Sequence, residues 1–225
     1  MTIANLRALI EQADADDIAE GRQAYSRYHT VMRWFAARYG VPFDRTVAAF
    51  VALSPNSDYY GNLRSLASVL DGYVKGVPVE RITISTYNHC RNRAHAYVGG
   101  DVSFLATVKG PKIRSFYANI VDPSDPHPVT VDGHMNAAYR AERLTMKEAI
   151  LRGRREYEAI AQAVRELAHA YDMIGNQAQA TIWFARKRTL GIVYNPQLRL
   201  FGDPSDKWQT LVDPADAPPY PVTKP

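Results

Sequence analysis

The chain of 225 residues has a formal net charge of +4 and a single cysteine, Cys90; it suits one large domain or two small lobes, and excludes an internal disulfide or a four-cysteine iron–sulfur cluster. No signal pattern opens the sequence and no apolar run approaches the roughly 20 residues of a membrane span, so we expect a cytoplasmic protein with no membrane role. The mild positive charge permits a polyanionic partner without demanding one.

Apolar residues recur at helical spacing through most of the chain, which predicts an all-α fold. A first helix begins near Leu6, and the apolar stripe of a second runs from Tyr25 to Tyr39, where Gly40 ends it. Further helices are predicted over residues 43–53, 59–74, 78–97, 145–171 and 177–190. We expect a proline to start the helix over 78–97. A capping box, T-M-K-E, is expected to start the helix over 145–171.

Strand signals at residues 82–86 and 129–131 are short and isolated. Past Gly202 the chain becomes proline-rich, which is typical of an extended tail that buries little surface. We therefore predict one helical domain over residues 1–202, with two lobes and a central cleft, followed by a proline-rich tail over 203–225.

Two segments carry the chemistry, and the first is V-K-G-P-K-I-R at residues 108–114. A glycine-proline turn there opens a helix, and a helix N-terminus offers unpaired N–H groups and a positive dipole end. The turn is predicted to bind a nucleic-acid phosphate through Lys109, Gly110, Lys112 and Arg114. Lys112 has three interpretations: a solvated first-turn lysine, a phosphate contact or, if desolvation lowers its pKa, an amine nucleophile that forms a Schiff base.

The second segment is V-T-V-D-G-H-M-N at residues 129–136, where a β-branched run leads into Asp132 at the start of a new helix. Asp132 is either a helix N-cap or, in a cleft, a general base or the stabiliser of a cationic transition state. His134 is a candidate substrate contact, although on a helix it points away from Asp132 and an ordinary histidine is the plainer interpretation.

Three polar residues, Ser54, Asn56 and Asn62, form either a simple loop and helix start or one wall of a base pocket. A late helix carries Gln179, Trp183 and Arg186 on one face, with Trp183 either in the core or a stacking platform. Arg186 belongs to a run, residues 186–188, that is expected to have no nearby acid and so to suit phosphate. Histidine spacing predicts no metal site, and no cofactor is expected.

G-P-K followed by V-T-V-D-G-H-M resembles the helix-hairpin-helix DNA glycosylase superfamily. The resemblance implies that the hairpin clamps the DNA backbone at Gly110, that Asp132 lies in a base-flipping pocket, and that Lys112 matches the lysine of bifunctional members. It also allows a monovalent cation at the hairpin. The fuller pattern is similar to a phage-borne branch, some of which are amino acid:DNA transferases in thymine hypermodification, formerly described as glutamyl- or putrescinyl-thymine pyrophosphorylases. That pattern is A-L-S-P-N, G-P-K-x-R-x-F-x-x-N and Q-A-x-x-W-F-A-R.

The leading expectation is a DNA-base-acting enzyme of a phage-type modification pathway, located in the host cytoplasm if phage-encoded. It would flip a pyrimidine and transfer an amine or amino acid to its 5-methylene group, so its partners are DNA and a small amine or amino acid. One alternative is a base-excision glycosylase or glycosylase/AP lyase. Another is a non-catalytic DNA-binding protein, in which Asp132 would be solvent-exposed or tied up as a cap.

Overall fold

The computed structural model describes residues 3–142, 144 and 148–192. These residues form ten α-helices and one short 3-10 helix and contain no β-strand, which confirms the all-α prediction. The helices are α1 (Ile3–Glu11), α2 (Ala15–Tyr39), α3 (Phe43–Ala52), α4 (Tyr59–Val74), the 3-10 helix (Val79–Arg81), α5 (Asn88–Gly99), α6 (Phe104–Thr107), α7 (Pro111–Val121), α8 (Gly133–Arg140), α9 (Arg154–Ala170) and α10 (Gly175–Thr189).

The chain divides into two compact units. Among the described residues, the first unit comprises 3–29 and 109–192, and the second comprises 30–108. Every candidate residue from Lys109 to Arg186 therefore belongs to the first unit, whereas Ser54, Asn56 and Asn62 belong to the second. The central cleft stays a prediction, and the tail over 203–225 lies outside the described residues, as do 193–202 at the end of the predicted domain.

The core of the first unit is built from apolar faces of α1, α8, α9 and α10. Its members include Leu6, Met135, Ile160 and Leu167, all fully buried. The β-branched segment 129–131 lies in this core outside any helix, and Val129 and Val131 are buried there. Burial of these valines anchors the backbone that leads to Asp132.

Gly21 allows α2 to approach α10 very closely. A Cβ atom built on Gly21 would lie 2.7 Å from the backbone nitrogen and 2.8 Å from the Cα of Thr181. Both helices would have to shift to admit any side chain at this position. The close approach brings the next turn of α2, which carries Tyr25, against Gln179 of α10.

The second unit packs α3, α4 and α5 together through small and apolar residues, among them Ala49, Leu66 and Ala94. The prediction that a helix starts at Pro78 is wrong. A 3-10 turn at Val79–Arg81 is followed by extended chain, and α5 begins only at Asn88. Tertiary hydrogen bonds explain the difference, because Ser85 bonds to the Ser65 side chain and to the Gly61 carbonyl.

The helix predicted from a capping box at residues 145–148 is also wrong at its start. Residues 145–147 lie outside the described residues, Glu148 is in a turn, and α9 begins at Arg154. Gly153 precedes it with φ at 128°, a conformation that strongly favours glycine and breaks a continuous helix. None of the described helices is long and apolar enough to cross a membrane.

Candidate active site

Asp132 follows the segment 129–131 and caps α8. Its Oδ1 atom accepts a hydrogen bond of 2.9 Å from the Met135 N–H, the geometry of a helix N-cap. Within the described chain no group donates a hydrogen bond to Oδ2, and the side chain is half-buried. Asp132 is thus a cap, as the non-catalytic alternative expects, but the cap occupies only one of its two carboxylate oxygens.

Tyr157 of α9 fixes the segment that delivers Asp132. Its hydroxyl donates to the Val129 carbonyl oxygen at 2.6 Å and accepts from the Val131 N–H at 3.4 Å. The same hydroxyl lies 3.0 Å from Ser115 Oγ, one turn into α7. Burial of this phenol raises its pKa, which keeps it neutral. Tyr157 therefore ties α7, the helix after the glycine-proline turn, to the backbone that leads to Asp132.

A buried polar network lies beside this segment. The Tyr25 hydroxyl donates to Gln179 Oε1 at 2.8 Å, and Asn119 Nδ2 donates to Thr130 Oγ1 at 3.0 Å. Burial strongly raises the pKa of Tyr25, with the negative charge of Asp132 contributing in the same direction. Among the described residues Asn119 Oδ1 is buried without a hydrogen-bond partner, an arrangement that is costly and uncommon in a native fold.

Lys187 adds a cation to the same unit. It follows Trp183 by one helical turn on α10, and its Nζ atom lies 3.4 Å from the centroid of the Trp183 ring. Burial lowers the pKa of Lys187 to about 8, against the opposing attraction of Asp132, which raises it. The indole face and the carboxylate both favour the ammonium form, so a partly desolvated cation lies within the field of the candidate aspartate.

The neighbours of Lys187 on the basic run have structural partners. Arg186 donates through Nη2 to the Glu142 carbonyl oxygen at 2.6 Å, and burial lowers the pKa of its guanidinium. Arg188 Nε lies 2.8 Å from the Asp17 carboxylate and 3.1 Å from that of Asp14. The expectation that this run has no acid nearby is therefore wrong for Arg188, because α10 meets the start of α2, which is distant in sequence.

The glycine-proline turn is a surface feature. Gly110 is the N-cap residue of α7 with φ at −68° and ψ at 128°, and Pro111 occupies the first helical turn. Lys109, Lys112 and Arg114 are exposed, and a Cβ built on Gly110 would meet no atom of the described residues within 4 Å. The described fold therefore places no demand for glycine at this position, and Lys112 lacks the burial that a nucleophilic lysine needs.

The remaining candidates have mainly local contacts. Ser54 Oγ donates to the Val51 carbonyl oxygen at 2.9 Å and so closes the end of α3, and Asn56 is exposed in a left-handed turn with φ at 53°. Asn62 is buried and donates from Nδ2 to the Phe50 carbonyl oxygen at 3.2 Å, and no residue that the structure describes bonds its Oδ1. His134 is exposed on α8.

Sequence reasoning identified Asp132, Gln179 and Trp183, and it counted Lys187 only as part of the run 186–188 that suits phosphate. It missed the polar contacts of Tyr25, Asn119, Thr130 and Tyr157. For Lys187 a signal was present, since it continues the i, i+4 spacing from Gln179 through Trp183 along one face of α10. For the others none was visible, because their contacts join residues far apart in sequence.

Comparison with curated proteins and with solved structures finds no match. A family model described as a family of unknown function, DUF7178, matches residues 1–190, which include all of the candidate residues. The chain therefore belongs to the DUF7178 family.

Proposed function

We propose that this protein is a DNA-base-acting enzyme with a glycosylase-like helical fold, which extrudes a pyrimidine and transfers an amine or amino acid to its 5-methylene group. The observation that carries the proposal is that one unit holds both a half-buried aspartate, with one carboxylate oxygen unused by described donors, and a partly desolvated lysine that lies on a tryptophan face and feels the charge of that aspartate. Charged groups with little solvent around them are typical of active sites.

Asp132 would act as the general base. As the amine nitrogen forms a bond to the 5-methylene carbon, the bond from that carbon to an activating phosphate oxygen breaks and the oxygen keeps the electron pair. The proton released by the nitrogen passes to Asp132 Oδ2, the oxygen that receives no described hydrogen bond. Met135 holds the other oxygen, which fixes the direction of the carboxylate throughout the step.

The turn from Lys109 to Arg114 would hold the DNA backbone, as the hairpin of a helix-hairpin-helix element. Its exposed basic side chains and its helix N-terminus suit a phosphate. The link through Tyr157 and Ser115 supports a common role for the turn and Asp132, since it makes their separation rigid. A flipped nucleotide needs such a fixed distance between its phosphate and its base.

Glycosylase/lyase activity is the second candidate, and one observation favours it: the burial that lowers the pKa of Lys187 to about 8. In that reaction a neutral lysine nitrogen attacks C1′ of the sugar, and the bond to the base breaks with its electron pair on the base. Lys187 satisfies the desolvation requirement and the exposed Lys112 does not. The indole face and Asp132 both stabilise the ammonium, however, which argues for a cationic role.

Mass spectrometry of digested nucleosides tests the proposal. The protein would be incubated with an amine mixture and DNA that carries 5-hydroxymethyluracil, either free or phosphorylated on its hydroxyl, with ordinary DNA as the control. We expect added mass on the phosphorylated base only, and none with Asp132→Asn. Release of a free base together with a borohydride-stable cross-link lost in Lys187→Gln would establish the glycosylase/lyase alternative instead.

A further inference from the structure

The charge of the protein is unevenly divided between the two units. The described residues of the first unit carry fourteen lysines and arginines and fourteen aspartates and glutamates, so their charges balance. Those of the second unit carry eight basic side chains against five acidic ones. Between Pro78 and Tyr97 three arginines and two histidines occur with a single acid, Glu80. The second unit therefore has its own attraction for a polyanion, separate from that of the glycine-proline turn.

Two stacked rings lie at the start of α5 in this basic segment. Tyr87 is 51% exposed, and its ring centroid lies 5.5 Å from that of His89, with the two ring planes 12° from parallel. His89 is exposed as well. The fold makes little use of Tyr87, because it precedes the first residue of α5 without providing a cap and its hydroxyl bonds no described residue. A side chain that departs from the local preference without a structural gain points to function.

Tertiary contacts hold the segment that carries these rings. Ser85 Oγ donates to a carbonyl oxygen of α4 at 3.0 Å, and Thr86 Oγ1 donates to the Pro55 carbonyl oxygen. His89 Nε2 lies 3.4 Å from Sγ of Cys90, which is buried. The rings are thus fixed before a ligand arrives, which reduces the entropy lost on binding.

Arginines lie on both sides of the ring pair in the chain. Arg93 follows His89 by four residues and so lies on the same face of α5, where it is exposed and pairs with no described carboxylate. Arg91 donates from Nη1 to the carbonyl oxygens of Glu80 and Ile82, at 3.2 and 3.3 Å, and so holds the preceding segment against α5. The exposed rings therefore have a guanidinium within about one helical turn that no described ion pair neutralises.

We infer that the Tyr87 surface, defined as Tyr87, His89 and Arg93, binds a single-stranded segment of DNA. An aromatic face stacks on a base, and the guanidinium binds a phosphate of the same strand. A duplex does not offer this contact, because neighbouring base pairs cover its base faces. The choice of DNA over RNA rests on the proposed function. The surface itself goes beyond that function, whose catalytic and backbone-holding groups all lie in the first unit.

Fluorescence anisotropy with labelled single strands tests the inference. A thymidine oligonucleotide is compared with an abasic strand of equal length, which keeps the phosphates and lacks the bases. Wild type should bind the thymidine strand roughly 5- to 100-fold more tightly, the range expected for one stacked base. Tyr87→Ala should lose most of this difference, and Tyr87→Phe should keep it. Equal affinity for the two strands in wild type would overturn the inference, as would unchanged binding of the thymidine strand by Tyr87→Ala.

Tyr73→Ala is the matched control. Tyr73 is 38% exposed in the same unit and contacts the His95 ring at 5.4 Å, but the two planes are 68° apart and so present no stacked pair. The variant should leave both affinities unchanged, and thermal unfolding identifies any loss of fold. A loss as large as that of Tyr87→Ala would contradict the specific role of the stacked rings.

The phosphate contact has a separate measurement. Arg93→Gln should lower the slope of log affinity against log salt on the thymidine strand by about 0.7. Lys75→Gln is the charge control, because that lysine lies in the same unit and pairs with Asp71 at 2.9 Å, and it should leave the slope unchanged. An unaltered slope in Arg93→Gln would remove this arginine from the Tyr87 surface.

These binding measurements need no modified base and no amine, so the inference and the proposed function fail separately. Base-dependent binding that Tyr87→Ala abolishes, with no mass gained by any base, would defeat only the proposed function. Mass gained by the base, with no effect of Tyr87→Ala on strand binding, would defeat only this inference. Tighter binding of the corresponding RNA strand would overturn the choice of DNA.

Discussion

The starts of α7 and α8 differ in exposure and packing, and their sequences do not show this difference. Both lie in the first unit and each begins a helix, one at Gly110 and the other at Asp132. The α7 start is exposed and a Cβ on Gly110 would meet no described atom within 4 Å, whereas Asp132 follows two buried valines and accepts a hydrogen bond from its own helix. The α7 start therefore suits phosphate contacts whose energies add, and the Asp132 segment suits chemistry that requires a fixed geometry.

The largest expected effect is at Asp132. Asp132→Asn removes the charge but keeps an oxygen for the Met135 N–H, and asparagine is as good an N-cap as aspartate, so the fold should survive. We expect transfer activity to fall by about 10² to 10⁴, the usual cost of losing a positioned base, while DNA affinity changes little. Single-turnover rates and filter binding measure the two quantities, and activity within tenfold of wild type would exclude Asp132 as the base.

Substitutions at Gly21 and Gly110 compare a closely packed glycine with an exposed one through the free energy of unfolding. Gly21→Ala forces a methyl group against the Thr181 backbone, at 2.7 Å from its nitrogen, and should lower the free energy of unfolding by about 3 kcal/mol. Gly110→Ala is the matched control, because its φ of −68° suits alanine and no atom of the described residues lies within 4 Å of the added methyl group. It should cost less than about 1 kcal/mol, mainly as a poorer cap. Urea unfolding compares them, and similar losses would contradict the close approach of α2 to α10.

Tyr157→Phe tests whether the two helix starts act together. The variant keeps the buried ring but removes the hydroxyl that bonds Val129 and Val131, so the free energy of unfolding should fall by roughly 1 to 2 kcal/mol. Tyr171→Phe is the control, since that hydroxyl bonds Glu11 at 2.8 Å near the surface. Activity of Tyr157→Phe should fall at saturating DNA, because Asp132 is less firmly positioned; full activity would show that this link is dispensable.

Sequence patterns predicted correctly those helices whose ends are determined by neighbouring residues in the chain. Residues 59–74 form α4 as predicted, because Asp58 caps its start by accepting from the Gly61 N–H, and Asp132 begins α8 for the same reason. Prediction failed where residues distant in sequence determine the local structure. Ser85 is an example, because its hydrogen bonds to α4 keep the chain extended after Pro78. The surroundings of Asp132 were invisible for this reason too, since Tyr25 and Gln179 lie 154 residues apart.

At the start of α7 we expect substitutions to have a smaller, electrostatic effect on DNA affinity. With roughly four to six phosphate contacts, the slope of log affinity against log salt should be about −4 to −5 on duplex DNA. Lys112→Ala should reduce that slope by about 1 and weaken binding at low salt without changing the rate at saturating DNA. Lys75→Ala, in the other unit, should change neither. An unaltered slope in Lys112→Ala would remove this lysine from the interface.

Lys187 also contributes a pH dependence to the stability of the fold. Its pKa is about 8 in the folded protein and about 10.4 in an unfolded chain. Between these two pKa values the unfolded state binds more protons than the folded state. The free energy of unfolding therefore rises with pH in this window, and the full destabilisation caused by burying the charged lysine is present below pH 8. Lys187→Met, which keeps the apolar stem against Trp183, removes that cost. Its stability gain over wild type should be largest near pH 7 and should shrink as pH approaches 10, while Lys75→Met serves as the control. Urea midpoints measure the difference, and a gain that does not vary with pH would mean that Lys187 is not desolvated.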